Sequence, residues 1–264
     1  MKLSITTLDS FTKTPFSGNP AAVCLLDQEL TPEQMQAVAT EMNLSETAFV
    51  ARTEESDSFS LRWFTPLLEV DLCGHATLAS VFWMVKAGWA QPNETIRFQT
   101  RSGELRVKSD GDWVEMDFPI IPTERAKHPF FEKDFFGAKI IQAAKLKRNW
   151  IVELANAAEV KFCVPDFALV KKHSEEGMII TAAGDDDYDI VSRYFGPGVG
   201  IDEDPVTGFA HCALMDYWFQ RSGKTNLKAY QASQRGGELY LERRENRVII
   251  RGQAVKVMSG EMEF

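Results

Sequence analysis

Metal-binding cysteine pairs are missing from this sequence. Its four cysteines, Cys24, Cys73, Cys163 and Cys212, stand far apart and none lies in a Cys-x-x-Cys pair. Together with the four histidines, His75, His128, His173 and His211, they show no zinc spacing, so no metal site is expected. A long apolar run is also absent: the longest, Ala76 to Val85, is broken by Thr77 and Ser80 and is half the length a bilayer needs. The first residues, Met1 to Asp9, lack the apolar core of a signal peptide, which predicts a cytoplasmic protein with reduced thiols. Positive charge is in deficit as well. With 29 Lys and Arg against 38 Asp and Glu, the net charge of −9 repels phosphate backbones and anionic lipid. Neither nucleic acid nor a membrane is therefore an expected partner. No Walker A lysine motif, Gly-x-Ser-x-Gly elbow or His-Glu-x-x-His is present. Gly196-Pro197-Gly198-Val199-Gly200 lacks the third glycine of a dinucleotide fingerprint and reads as a loop. What remains is acid–base chemistry without a cofactor.

The 264 residues are 44% hydrophobic and 25% charged, the composition of a chain that folds around a core of its own. A weak internal repeat runs through them. Arg62-Trp63-Phe64-Thr65-Pro66 is echoed by Arg193-Tyr194-Phe195-Gly196-Pro197, and Cys73-Gly74-His75-Ala76-Thr77-Leu78-Ala79 by Thr207-Gly208-Phe209-Ala210-His211-Cys212-Ala213. A fainter echo sets Asn19-Pro20-Ala21-Ala22-Val23 against Asn149-Trp150-Ile151-Val152-Glu153. The same order at nearly the same offset points to two homologous halves.

Short alternating runs at 59–64, 104–108, 113–118, 237–242 and 247–250 predict half-buried strands. His75 to Ala87 and Gly208 to Phe219 are apolar all round and predict two interior helices. Thr31 as N-cap, Pro32 at N1 and Gln34 closing a capping box predict a surface helix ending near Asn43. The turn-rich stretch from Thr123 to Lys133 reads as the crossing between the halves.

Candidate chemistry gathers at three places. Leu44 to Val50 reads as a strand with Leu44, Glu46, Ala48 and Val50 on one face. Among such neighbours the Glu46 carboxyl pKa would rise, which suits a general acid/base; the alternative is an exposed glutamate at a helix–strand junction. Gly74 and Gly208 open the two interior helices, whose first N–H groups attract carboxylate or phosphate, unless the glycines only relieve crowding. His75 either orients a substrate or is a core histidine, and His211 reads as structural. Asp204, before Pro205 and three residues before the N-cap candidate Thr207, reads as a turn residue.

Phe16-Ser17-Gly18-Asn19-Pro20-Ala21-Ala22-Val23, Met42 to Val50, Arg62 to Pro66, Asp71 to Ala79, Asp202 to Gly208 and Gln231 to Gly237 together resemble the phenazine-biosynthesis-like (PhzF-like) isomerase family, in order along nearly the whole chain. The resemblance implies an α+β fold of the diaminopimelate epimerase type. Two pseudo-symmetric lobes, residues 1–118 joined by 254–264 and residues 119–253, would each wrap a curved, mostly antiparallel sheet or half-barrel around a central helix, with the active site in the cleft between them. It implies that Glu46 moves a proton within a small carboxylate-bearing substrate. Asn19, Gly74, His75, Asp204, Thr207, Gly208 and Phe209 would bind that substrate. No cofactor and no metal would be needed, and the protein would be a homodimer. One departure stands out: the family's Thr-Gly-Ser-Ala-His reads Thr207-Gly208-Phe209-Ala210-His211 here, a large ring in place of a hydroxyl. Two other functions stay open at this point. One is a catalytically altered member that only binds a small molecule. The other is a two-base amino-acid epimerase, for which Cys73 stands at the first helix start but only Thr207 at the second.

Overall fold

The computed structural model describes residues 1–55, 58–127, 137–185 and 187–264. The chain divides into two compact units, residues 1–117 with 251–264, and residues 118–250. The first is built from β1 (Lys2–Ser10), β2 (Asn19–Leu26), α1 (Pro32–Met42), β3 (Glu46–Arg52), β4 (Ser58–Phe64), β5 (Glu69–Val70), α2 (Gly74–Lys86), β6 (Thr95–Thr100), β7 (Gly103–Asp110) and β8 (Trp113–Pro119). The second carries β9 (Glu124–Ala126), β10 (Ile140–Leu146), β11 (Asn149–Leu154), α3 (Ala157–Phe162), α4 (Phe167–His173), β12 (Gly177–Ala183), β13 (Ile190–Gly196), β14 (Ile201–Asp204), α5 (Gly208–Ser222), β15 (Asn226–Gln231) and β16 (Gly237–Arg244). The last strand, β17 (Arg247–Glu263), starts in the second unit and ends in the first.

In the first unit the pairings close a ring, β1-β2-β3-β4-β6-β7-β8-β17 and back to β1. Helix α2 packs on β1, β2, β3 and β7, so it fills this ring. Two pairings, β2 with β3 and β4 with β6, are parallel. Each needs a crossover, and α1 and α2 supply them. The second unit repeats the grammar: β11 pairs parallel with β12 across α3 and α4, and β13 with β15 across α5. The halves inferred from sequence echoes thus share an order of elements.

Strand β3 differs from its sequence-based reading. It begins at Glu46, leaving Leu44 and Ser45 outside, and Thr47, Ala48, Phe49 and Val50 are all buried rather than alternating. The cause is a second cover: Met35, Val38 and Ala39 of α1 pack with Phe49 on one face, while α2 packs on the strand from the ring interior. A strand covered on both faces loses the period-two signal. Helix α1 forms as expected, with the Thr31–Gln34 capping box made in both directions and Asn43 left-handed at its end. Helix α5 runs three residues past Phe219, to Ser222, and stops at the left-handed Gly223.

The stretch from Thr123 was expected to join the halves. The division instead falls between Asp117 and Phe118, and Glu124–Ala126 is a strand paired with β10. Residues 128–133 of that stretch, including His128, lie outside the described residues. Gly196 closes β13, and Pro197–Val199 form a 3-10 turn where a plain loop was expected.

Candidate active site

In the first unit the site collects at one edge of the ring. Parallel β2 and β3 both begin there, with Asn19 and Glu46, and β1 ends there at Ser10, paired with Asn19. The Ser10 hydroxyl donates to the His75 carbonyl at 2.8 Å and so ties the start of α2 to this edge. Gly18, ahead of Asn19, has φ +68°, and a Cβ there would collide with the Ser10 carbonyl oxygen. Only glycine lets the chain turn so closely into β2.

Fold contacts therefore bring together Asn19, Glu46 and His75, and add Cys73. His75 Nε2 lies 3.2 Å from Glu46 Oε2, with the His75 side chain 7% and the Glu46 side chain 14% exposed. The other ring nitrogen, Nδ1, is 3.3 Å from Asn19 Nδ2 and 3.4 Å from Cys73 Sγ. Burial pushes the His75 imidazole down to about 3, against an opposing hydrogen bond to the Pro20 backbone. The ring is neutral at physiological pH, so its nitrogens offer one donor and one acceptor. A neutral imidazole beside a carboxyl can donate a hydrogen bond to its ionised form or accept one from its protonated form. Gly74 is the first residue of α2, between Cys73 and His75.

The second unit presents a different corner. Thr207 is at the N-cap position of α5, as expected, but its hydroxyl does not cap the helix. It donates instead to Asp204 Oδ2 at 2.5 Å, at the end of β14. Gln231, wholly buried at the end of β15, holds the turn. Its Oε1 accepts from the Thr207 backbone N–H at 2.9 Å, while its Nε2 donates to the Asp204 carbonyl at 2.8 Å and to Thr207 Oγ1 at 3.1 Å. Gly208 is buried and Phe209 half-buried at the first two positions of α5.

Sequence reasoning overlooked Gln231 as a positioning group and Cys73 as a neighbour of His75. Gln231 sits in one of the segments that carried the family resemblance, but a strand-end glutamine has no spacing rule that marks it. The spacing argument against a metal site also missed a cluster: Glu46, Cys73 and His75 place one donor atom each within 4.8 Å of one another. Twenty-six residues lie between the glutamate and the cysteine, so no local motif connects them.

His211, one turn into α5, is fully buried, and its Nδ1–H donates to the Thr207 carbonyl at 2.8 Å. Burial pushes its pKa down to about 4. The unfolded chain then binds this proton at a higher pH than the folded one, near 6.5. His211 therefore contributes stability that is fully present above pH 6.5 and is lost as pH falls towards 4, at about 1.4 kcal/mol per unit. Urea unfolding at pH 7 and pH 5 should show this loss, and His211→Gln should reduce it. An equal pH dependence in the variant would remove His211 as the source.

The family model for phenazine biosynthesis-like proteins matches residues 8–260. An uncharacterized isomerase of Pseudomonas aeruginosa is 45% identical, with 100% of both chains covered. A crystal structure of a PhzF-family phenazine biosynthesis protein from Enterococcus faecalis superposes with a TM-score of 0.93 at 42% identity, covering 100% of both chains. At 8% identity, a hydroxyproline epimerase from Agrobacterium vitis shares the fold alone, with a TM-score of 0.63 over 98% of this chain and 92% of that one. No helix among the described residues is long and apolar enough to cross a membrane. With a matching family model over nearly its full length and an isomerase relative aligned end to end, this chain belongs to the phenazine biosynthesis-like, PhzF, family.

Proposed function

We propose that the protein is an isomerase working without a cofactor, which moves a proton within a small carboxylate-bearing molecule and uses Glu46 as the acid/base. The observation that carries this reading is the contact of Glu46 Oε2 with His75 Nε2 at 3.2 Å, next to the start of α2. In the proposed step the Glu46 carboxylate takes a proton from carbon. The electron pair left behind delocalises into the adjacent unsaturated system, and Glu46 returns the proton to a second carbon. His75, neutral and anchored to Asn19 and Pro20, holds the carboxyl through both protonation states. The free N–H groups at the start of α2, around Gly74, attract the substrate carboxylate. In the second unit Gln231 braces Asp204 and Thr207 into a polar corner that can bind a ligand of its own.

Solvent-deuterium uptake, screened over cyclic and amino-acid candidates, tests the reading. The expected result is isomerised product carrying deuterium at the carbon that gains the proton, for at least one candidate. Isomerisation at an undiminished rate in Glu46→Gln would count against it, because an amide cannot carry the proton from one carbon to the other.

Phe209 bears on substrate choice. It is half-buried and stands where the family motif carries serine. A ring in place of a hydroxyl removes a hydrogen-bonding group and favours an apolar or aromatic ligand surface. Phe209→Ser is expected to change ligand preference in the same screen more than it changes the unfolding midpoint. An unchanged preference together with a large loss of stability would make Phe209 a packing residue only.

A further inference from the structure

Glu46, Cys73 and His75 differ chemically in a way that proton transfer does not require. They supply one carboxylate oxygen, one thiol sulfur and one imidazole nitrogen, all within 4.8 Å of one another. We propose that these three side chains form a binding site for a thiophilic divalent cation, Zn²⁺ by ligand chemistry, whose occupancy withdraws the Glu46 carboxylate from any other use.

Four arguments support the site. Tetrahedral zinc with bonds of about 2.0–2.3 Å sets its ligand atoms roughly 3.3–3.8 Å apart, so side-chain adjustments of about an ångström close the cluster. A mixed sulfur, nitrogen and oxygen set selects zinc over magnesium or calcium, which take oxygen ligands. Three protein donors leave a fourth position, as in zinc sites that admit water or an external ligand. The imidazole is already oriented, since the Pro20 backbone hydrogen-bonds to the ring. Outer groups of this kind fix a ligating histidine. Binding forms the metal–sulfur bond and releases the Cys73 thiol proton to solvent.

The inference stands apart from the acid–base reading, because metal binding can be measured without turnover. Co²⁺ titrated into chelator-stripped protein is the probe. The expected result is a thiolate-to-cobalt charge-transfer band in the near ultraviolet that saturates at one metal per chain and is displaced by Zn²⁺. Cys73→Ser should abolish the band. Glu46→Gln should keep it, because sulfur and nitrogen remain, but weaken binding roughly tenfold or more. The other thiols, Cys24, Cys163 and Cys212, are buried as Cys73 is, but among the described residues none of them joins a cluster of metal-ligating side chains, so they are poor sources of such a band. Circular dichroism establishes that each variant is folded, and Glu46→Gln provides a second readout if Cys73→Ser is not. Absence of a saturable band, a band that survives in folded Cys73→Ser, or equal affinity in Glu46→Gln would overturn the site.

Discussion

Glu46→Gln is expected to keep the fold and to lose between about 100-fold and 10,000-fold in kcat, the usual contribution of a positioned acid/base. The amide is nearly the same size as the carboxyl, and Glu46 is the first residue of β3, so the ladder with Ala21 of β2 does not depend on its side chain. What the amide cannot do is accept a proton. The comparison is read on kcat, because a group acting in the transition state lowers kcat and kcat/KM together, whereas one that only binds substrate raises KM. A variant retaining more than about a tenth of the wild-type rate would remove Glu46 from the mechanism. Circular dichroism spectra of the two proteins should superimpose, which separates loss of chemistry from loss of fold.

The case for a single base draws on the internal repeat. The offset that aligns the two Gly-led helix starts sets Cys73 against Thr207 and His75 against Phe209. The first unit therefore holds carboxylate, imidazole and thiol together, while the second places a hydroxyl against a carboxylate at Asp204. A symmetric two-base reaction calls for a comparable base at both helix starts. Thr207 is a poor one, its hydroxyl being committed to Asp204 and its pKa far above that of a thiol.

Local signals made much of the fold legible. Thr31, Pro32 and Gln34 marked α1 because a capping box is written within four residues, and the unbroken apolar stretches after Gly74 and Gly208 marked α2 and α5. The site was less legible because its parts are remote. Nothing local at Glu46 reveals that His75 approaches it, since that meeting depends on β2 and β3 being parallel and on Ser10 holding the α2 start. Gln231 acts across 24 residues on the Thr207 amide, a distance that no motif spans. The misread strand at Leu44–Val50 has the same origin, because its alternation is erased by a helix on each face.

Arg193→Ala is expected to cost about 2–3 kcal/mol, between the effects of breaking an exposed and a fully buried ion pair. The aromatic repeat that first indicated two halves preserves an arginine clamp. Arg62 donates through Nε and Nη2 to both Glu69 oxygens at 2.8 and 2.9 Å, and Arg193 does the same to Glu203 at 2.7 and 2.9 Å. Each guanidinium also lies over the phenylalanine two residues on, 5.2 Å from the Phe64 ring centre and 4.9 Å from that of Phe195. Each clamp fixes the short strand that leads into a buried helix, β5 before α2 and β14 before α5. The two differ in surroundings. Arg193 is 11% exposed and also donates to the Cys163 carbonyl at 2.9 Å, whereas Arg62 is 27% exposed and its partner Glu69 keeps a second cation, Arg101, at 3.1 Å. Arg62→Ala should therefore cost less, on the order of 1 kcal/mol, as for a pair partly screened by solvent. Arg193→Lys should recover only part of the loss, because an ammonium cannot reproduce the two parallel bonds. Urea unfolding of the three variants orders them, and equal losses for Arg62→Ala and Arg193→Ala would show that burial does not set the strength of the clamp.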